Sequence, residues 1–96
     1  MDAESLLDDR FALDERSFVQ MKVWKLRQPL EGCAHSLKYR LAFVVDGDCV
    51  LRYDNEAGKG DHRHVRGSEM PYEFETLEAL QVDFWKDVDA LWEARK

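Results

Sequence analysis

The sequence predicts an α+β fold: an antiparallel meander sheet of about four or five strands packed by a C-terminal α-helix, with a short N-terminal helix, as a two-layer sandwich. Three observations carry this reading. Residues 17–26 alternate apolar and polar, the period of a half-buried strand. Asp46-Gly47-Asp48 separates two strand-like runs, which is a strong hairpin signal. Leu77, Leu80, Phe84, Val88 and Leu91 recur at helical spacing. A helix with one apolar stripe and a sheet with one apolar face bury those surfaces on each other.

Taken in order, residues 3–12 (AESLLDDRFA) read as the short helix, with Leu6, Leu7 and Phe11 as its apolar stripe. Ser17–Leu26 forms the first strand, with Val19, Met21 and Val23 on one side and Gln20 and Lys22 on the other. Pro29 ends it, because proline cannot donate to a ladder, and residues 29–36 connect. Lys38–Val45 and Cys49–Asp54 follow as a hairpin. A two-residue turn at either Asp46-Gly47 or Gly47-Asp48 puts Tyr39, Leu41, Phe43, Val45, Val50, Arg52 and Asp54 on one face. Lys38, Arg40, Ala42, Val44, Cys49, Leu51 and Tyr53 then share the other. The end of this hairpin away from the turn is polar on both faces. Residues 55–61 make a glycine-broken loop, and 62–65 begin another strand. Residues 70–75 fit a short edge strand that tolerates Pro71. Thr76 is placed to cap the helix, and Glu78 suits its first turn.

At 96 residues, 45% apolar and 35% charged, the chain reads as one domain spanning 1–96. Five Phe, three Trp and three Tyr are too much apolar surface to leave in water. No apolar run approaches the roughly 20 residues that span a bilayer. The acidic start MDAESLLDDR suits neither a signal nor a transit peptide. The expected address is cytoplasmic, away from membranes. Cys33 and Cys49, in no metal-type spacing, are expected as reduced thiols.

Charge is divided unevenly. Residues 1–16 and 68–96 are acidic, and residues 17–67 carry nine bases against six acids, within a total of −6. An acidic total argues against coating nucleic acid non-specifically. It leaves room for a small basic site in an acidic shell.

That site is expected in RYDNEAGKGDHRHVRG, residues 52–67. Gly58 and Gly60 permit tight turns and close approach of a ligand. His62 and His64 share one side of a strand, Arg63 points away, and Arg66 returns to the histidine side if the strand continues. Two imidazoles beside a guanidinium suit metal-independent phosphodiester cleavage: one takes a proton from the attacking 2′-hydroxyl and the other gives one to the leaving oxygen. Lys59 or Arg66 would stabilise the charge on the phosphoryl oxygens. His35 is a candidate assistant. Asp54, Arg63, Tyr53, Lys38 and Arg40 are candidate substrate contacts. Three readings compete: a metal site on the His-x-His pair with Asp61 or Asp54, disfavoured by the flanking cations; a non-enzymatic target-binding inhibitor; and a solvated basic connector. The glycines are not a phosphate-binding P-loop, since GxxxxGK[ST] is absent.

The order of these parts resembles a known family. KYRLAFVVDGDCVLRYDNEAGKGDHRH, then PYEF and a helix containing FWKDVD, is similar to the TumE-type toxins of bacterial and archaeal type II toxin–antitoxin pairs, from about Val23 to Val88. The most specific piece is Tyr53-Asp54-Asn55 with Gly58 through His64. A weaker one is His35, Lys38, Tyr39 and Arg40. The resemblance implies a growth-inhibiting toxin silenced by a cognate antitoxin, of a kind that often carries a helix-turn-helix DNA-binding domain. It implies ribonuclease activity on RNA; the residues themselves call for no cofactor, the acidic total leaves room for action on the ribosome, and a homodimer stays open. The low net charge departs from the basic character of many mRNA-cleaving toxins.

Overall fold

The computed structural model describes residues 3–94. Six strands run β1 (Ala3–Asp14), β2 (Ser17–Leu26), β3 (Leu37–Val45), β4 (Asp48–Glu56), β5 (Gly60–Val65) and β6 (Ser68–Pro71), followed by helix α1 (Leu77–Ala94). They form one sheet in the order β1-β2-β3-β4-β5-β6, and each neighbouring pair is antiparallel. The expected α+β meander packed by a C-terminal helix is what the chain builds, with six strands rather than four or five.

The extra strand is the segment expected to be helical. Residues 3–14 pair with β2 along nearly their whole length. Leu7 lies opposite Val23 and Phe11 opposite Val19, so both follow the two-residue period of a strand. Register shifts between Ser5 and Leu7 and between Ala12 and Asp14 break that period in the sequence. Tertiary pairing overrides a weak helical stripe here. Acids along this outer edge discourage a further strand from adding to it.

The core lies between the sheet and α1. Val19, Met21 and Val23 of β2, Tyr39, Leu41 and Phe43 of β3, and Leu51 and Tyr53 of β4 are buried with Leu80, Phe84 and Val88 of the helix. The Phe43 and Trp92 rings, and the Phe11 and Trp85 rings, join the layers at 6.2 and 5.9 Å between centroids. Trp85, off the main helix stripe, thus packs on β1. Thr76 accepts a hydrogen bond from the amide of Ala79 at 3.0 Å, which satisfies a free donor of the first turn.

Asp46 and Gly47 have φ of 50° and 82°, the paired left-handed values of a two-residue I′ turn. One register shift beyond this turn decides where the chemistry sits. Phe43 pairs with Leu51, but Val44 pairs with Cys49, leaving Val50 as the extra residue. The bulge reverses the parity of β4 relative to the regular hairpin expected. Leu51, Tyr53 and Asn55 therefore share the helix-covered face with Leu41 and Phe43, and Arg52 and Asp54 join Arg40 and Ala42 on the opposite face. Among the described residues no helix or second sheet covers that opposite face.

Candidate functional site

The pairing register places side chains across the open face in rows. Lys22 lies opposite Arg40, Arg40 opposite Asp54, and Asp54 opposite His62. The next row runs Gln20, Ala42, Arg52, His64 and Glu69. His62 and His64 thus share one side of β5, their ring centroids 6.4 Å apart. A strand that lifts alternate residues to one face is what brings them together.

Their hydrogen-bonding partners differ. Nη2 of Arg52 lies 3.1 Å from Nε2 of His64. A guanidinium can only donate, so this ring nitrogen accepts and the neutral ring carries its proton on Nδ1. Asp54 Oδ1 lies 3.4 Å from the same nitrogen, a contact that serves only once Nε2 is protonated. Arg52 and Asp54 therefore give His64 one partner in each protonation state. They are themselves an ion pair, Nε to Oδ2 at 3.0 Å, but the Nε–H is not aimed along that line and makes no hydrogen bond. His62 faces a carboxylate: Nε2 lies 3.5 Å from Oε1 of Glu69, and an ionised carboxylate can only accept. Side by side stand a ring whose Nε2 accepts from a guanidinium and a ring whose Nε2 lies near a carboxylate.

A second cluster occupies the helix-covered face, where the β2–β3 connection folds over β5. Nε2 of His35 and the hydroxyl of Tyr39 both donate to Oδ2 of Asp61, each at 2.7 Å. Phe74 stacks on His35 with centroids 3.8 Å apart. Burial pushes the Tyr39 hydroxyl well above the usual tyrosine range, and the Asp61 hydrogen bond adds to it. Burial likewise pushes the Cys33 thiol up, with the nearby Asp61 charge adding to the effect. Asn55, fully buried, stands in for part of the ladder: Oδ1 accepts from the amide of Tyr39 at 3.0 Å and Nδ2 donates to the carbonyl of Leu37 at 2.7 Å. Lys38 Nζ donates to the Asn55 carbonyl. Gly60 holds a φ of 79°, and a Cβ there would lie 3.2 Å from the carbonyl of Gly32, so the loop closes on a backbone only glycine allows.

Cys33, His35 and Asp61 each offer a ligand atom within 4.8 Å of the others. The imidazole is turned the wrong way for a metal. Its Nδ1 accepts from the amide of Leu37 at 3.2 Å, so the proton sits on Nε2 and binds Asp61. A metal at Nε2 would move that proton to Nδ1, against an N–H donor. On the open face, a dication at His64 would meet the Arg52 guanidinium.

The structure thus divides the sequence-derived set. His62, His64, Asp54 and Arg40 converge on the open face. His35 does not join them: it lies with Asp61 on the other side of the sheet. Tyr53 and Arg63 also face the helix, where the Tyr53 hydroxyl and Arg63 Nε donate to Oδ2 of Asp87, at 2.5 and 2.6 Å. That bond holds the Arg63 guanidinium above its ordinary range. Arg66 does not return to the histidine side, because β5 ends at Val65 and Arg66 enters the turn to β6 with φ 47°. It lines a hollow with Phe43, Val50 and Leu91 instead. Lys59 is exposed in the β4–β5 turn, 3.8 Å from Glu56. Arg52 and Glu69 were missed; the two-residue parity would have revealed Arg52 had the bulge at Val50 been visible.

Nearly the whole chain takes part in these two clusters and the sheet between them, and the comparison with known families spans nearly the same length. A family model described as Toxin TumE matches residues 2–92. The chain belongs to the TumE toxin family. Membership makes it a toxin component and implies an antitoxin partner. No curated protein and no solved structure matches it. Among the described residues of this TumE-family chain, no helix is long and apolar enough to cross a membrane.

Proposed function

We propose that this TumE-family toxin arrests growth as a metal-independent ribonuclease working on the open face of the sheet. The observation that carries the reading is the pairing of His62 and His64, one ring directed at a carboxylate and the other accepting from a guanidinium. His64 Nε2 removes the proton of a ribose 2′-hydroxyl, and the freed oxygen attacks the adjacent phosphorus. His62, acting in its doubly protonated form, gives its Nε2 proton to the leaving 5′-oxygen and is left neutral. A 2′,3′-cyclic phosphate and a 5′-hydroxyl end result. Arg52 first swings from His64 to the phosphoryl oxygens, which frees the Nε2 lone pair for the 2′-hydroxyl proton; Asp54 meets the new Nε2–H, and Arg40 adds a second cation. Lys59 at the turn and Lys22 in the neighbouring row attract the flanking phosphates.

The acidic flanks of the chain oppose unaided RNA binding, which favours an RNA presented on the ribosome. In the same reading, the antitoxin is a helix-turn-helix protein of a type II pair, and the toxin works in the cytoplasm.

The test is cleavage of RNA by purified protein in the presence of EDTA, with the product ends analysed. His62→Ala and His64→Ala should each abolish both cleavage and growth arrest while leaving the circular dichroism spectrum unchanged. Full toxicity in both variants would reject the site. Toxicity with no RNA breakdown, with and without ribosomes, would favour a non-enzymatic inhibitor. Loss of activity in EDTA with about one metal per chain would favour the metal-dependent alternative.

A further inference from the structure

On the open face one residue row beyond Lys22, the side chains of Trp24, Leu26 and Leu30 join Ala3 and Lys38 around a cavity of about 410 Å³. That size falls within the roughly 300–1,000 Å³ of small-molecule sites. Its walls are apolar, the lysine contributing its methylene stem while its ammonium is held by the Asn55 carbonyl. Trp24 lies directly opposite Lys38, and two residues along the same strands Lys22 lies opposite Arg40. An aromatic, apolar hollow bordered on one side by cations is the arrangement that takes a nucleobase into the hollow and its phosphates onto the rim. The cations continue from this rim across the sheet through Arg40 to Asp54 and His62. Three strand spacings of about 4.8 Å and one two-residue step separate Trp24 from His62, roughly 16 Å, a span covered by a few nucleotides of extended single strand.

We infer that this cavity is a nucleobase subsite for single-stranded RNA, which grips the substrate a few nucleotides away from the cleaved bond. The inference rests on the ribonuclease reading and deepens it: Trp24 supplies the stacking surface, the aliphatic stem of Lys38, whose ammonium is held by the Asn55 carbonyl, lines the hollow, and Lys22 and Arg40 hold the adjoining phosphates. A single strand is the form that fits, because its unstacked bases splay out to enter the hollow without the cost of unpairing.

The probes are a 2′-O-methyl RNA hexamer, which cannot be cleaved by 2′-attack, and an abasic hexamer with the same backbone. Binding of each is measured by fluorescence anisotropy at low salt. The wild-type protein should bind the base-bearing hexamer about tenfold more tightly, the scale of one stacked base. Trp24→Ala and Leu30→Asn should each erase that preference while keeping the affinity for the abasic hexamer, and Trp24→Phe should retain part of it. Lys22→Gln should weaken both hexamers alike. Equal wild-type affinity for the two hexamers would overturn the subsite while leaving phosphate binding intact. Binding of neither would also overturn the subsite, and the ribonuclease reading would then stand or fall on the cleavage assay with ribosomes. Unchanged thermal midpoints in the Leu30→Asn and Trp24→Phe variants guard against loss of fold as the cause.

Discussion

Nη2 of Arg52 donates to Nε2 of His64 across 3.1 Å, while Asp54 waits 3.4 Å from the same nitrogen. The two contacts are alternatives, since a nitrogen carrying a lone pair accepts and a nitrogen carrying a proton donates. Moving to a phosphoryl oxygen, Arg52 therefore frees the lone pair that takes up the proton, and Asp54 is in place to meet it.

Arg52→Gln should accordingly lower RNA cleavage by on the order of 100-fold, the usual effect of removing one donor to a developing oxyanion. Asp54→Asn should also impair it, since His64 loses the anion that meets its new proton. Single-turnover rates on purified RNA check this. An Arg52→Gln protein with the wild-type rate would remove the guanidinium from the mechanism.

Asn55→Ala should destabilise the fold by about 2–6 kcal/mol. It strands the amide of Tyr39 and the carbonyl of Leu37 in a buried place, each costing about 1–3 kcal/mol. Denaturant unfolding measures the loss. The histidine pair does not touch this residue, so surviving folded protein should keep its RNA-cleaving rate.

Alkylation should separate the two cysteines. Burial and the Asp61 charge raise the Cys33 thiol, whereas Cys49 is exposed. Since only the thiolate reacts, iodoacetamide near neutral pH should label Cys49 at least about tenfold faster in the native protein. Peptide mass spectrometry gives the rates, and unfolding should bring them together.

Alkali should unfold the protein through its tyrosines. Tyr39, Tyr53 and Tyr72 are all pushed above the ordinary value of 10.0, each by burial first and then by hydrogen bonds to Asp61, Asp87 and Asp83. Their folded state favours the protonated phenol, so their contribution is complete below pH 10 and is lost as the pH climbs past it. Phenolate absorbance should appear together with loss of near-ultraviolet circular dichroism. A smooth titration at pH 10 with tertiary structure retained would contradict the burial.

Much of this was legible before the structure. The helix stripe through Leu80, Phe84 and Val88 and the alternation at Val19, Met21 and Val23 each follow one unbroken period, and Thr76 caps where a capping residue belongs. What was illegible depended on a single inserted residue or on distant pairing. The extra residue at Val50 moved Arg52 and Asp54 to the histidine face, and no local pattern marks it. Two register shifts hid the strand period of residues 3–14. His35 was drawn to Asp61 by a contact across 26 positions, which spacing alone cannot foresee. Arg66 failed to rejoin the histidines because Gly67 turns the chain there.

In the meander, neighbours in space are neighbours in sequence, and this bears on how the protein reaches its working form. Every strand can find its partner by closing a short loop, so little chain entropy is lost before the first pairings hold. Growth of the sheet can start at any hairpin and spread outward like a closing zip. Arg40 meets Asp54 as soon as β3 and β4 join, and His62 and His64 arrive one pairing later with β5. A chain emerging from the ribosome would acquire its reactive surface stepwise, while the helix that seals the other side is still to come.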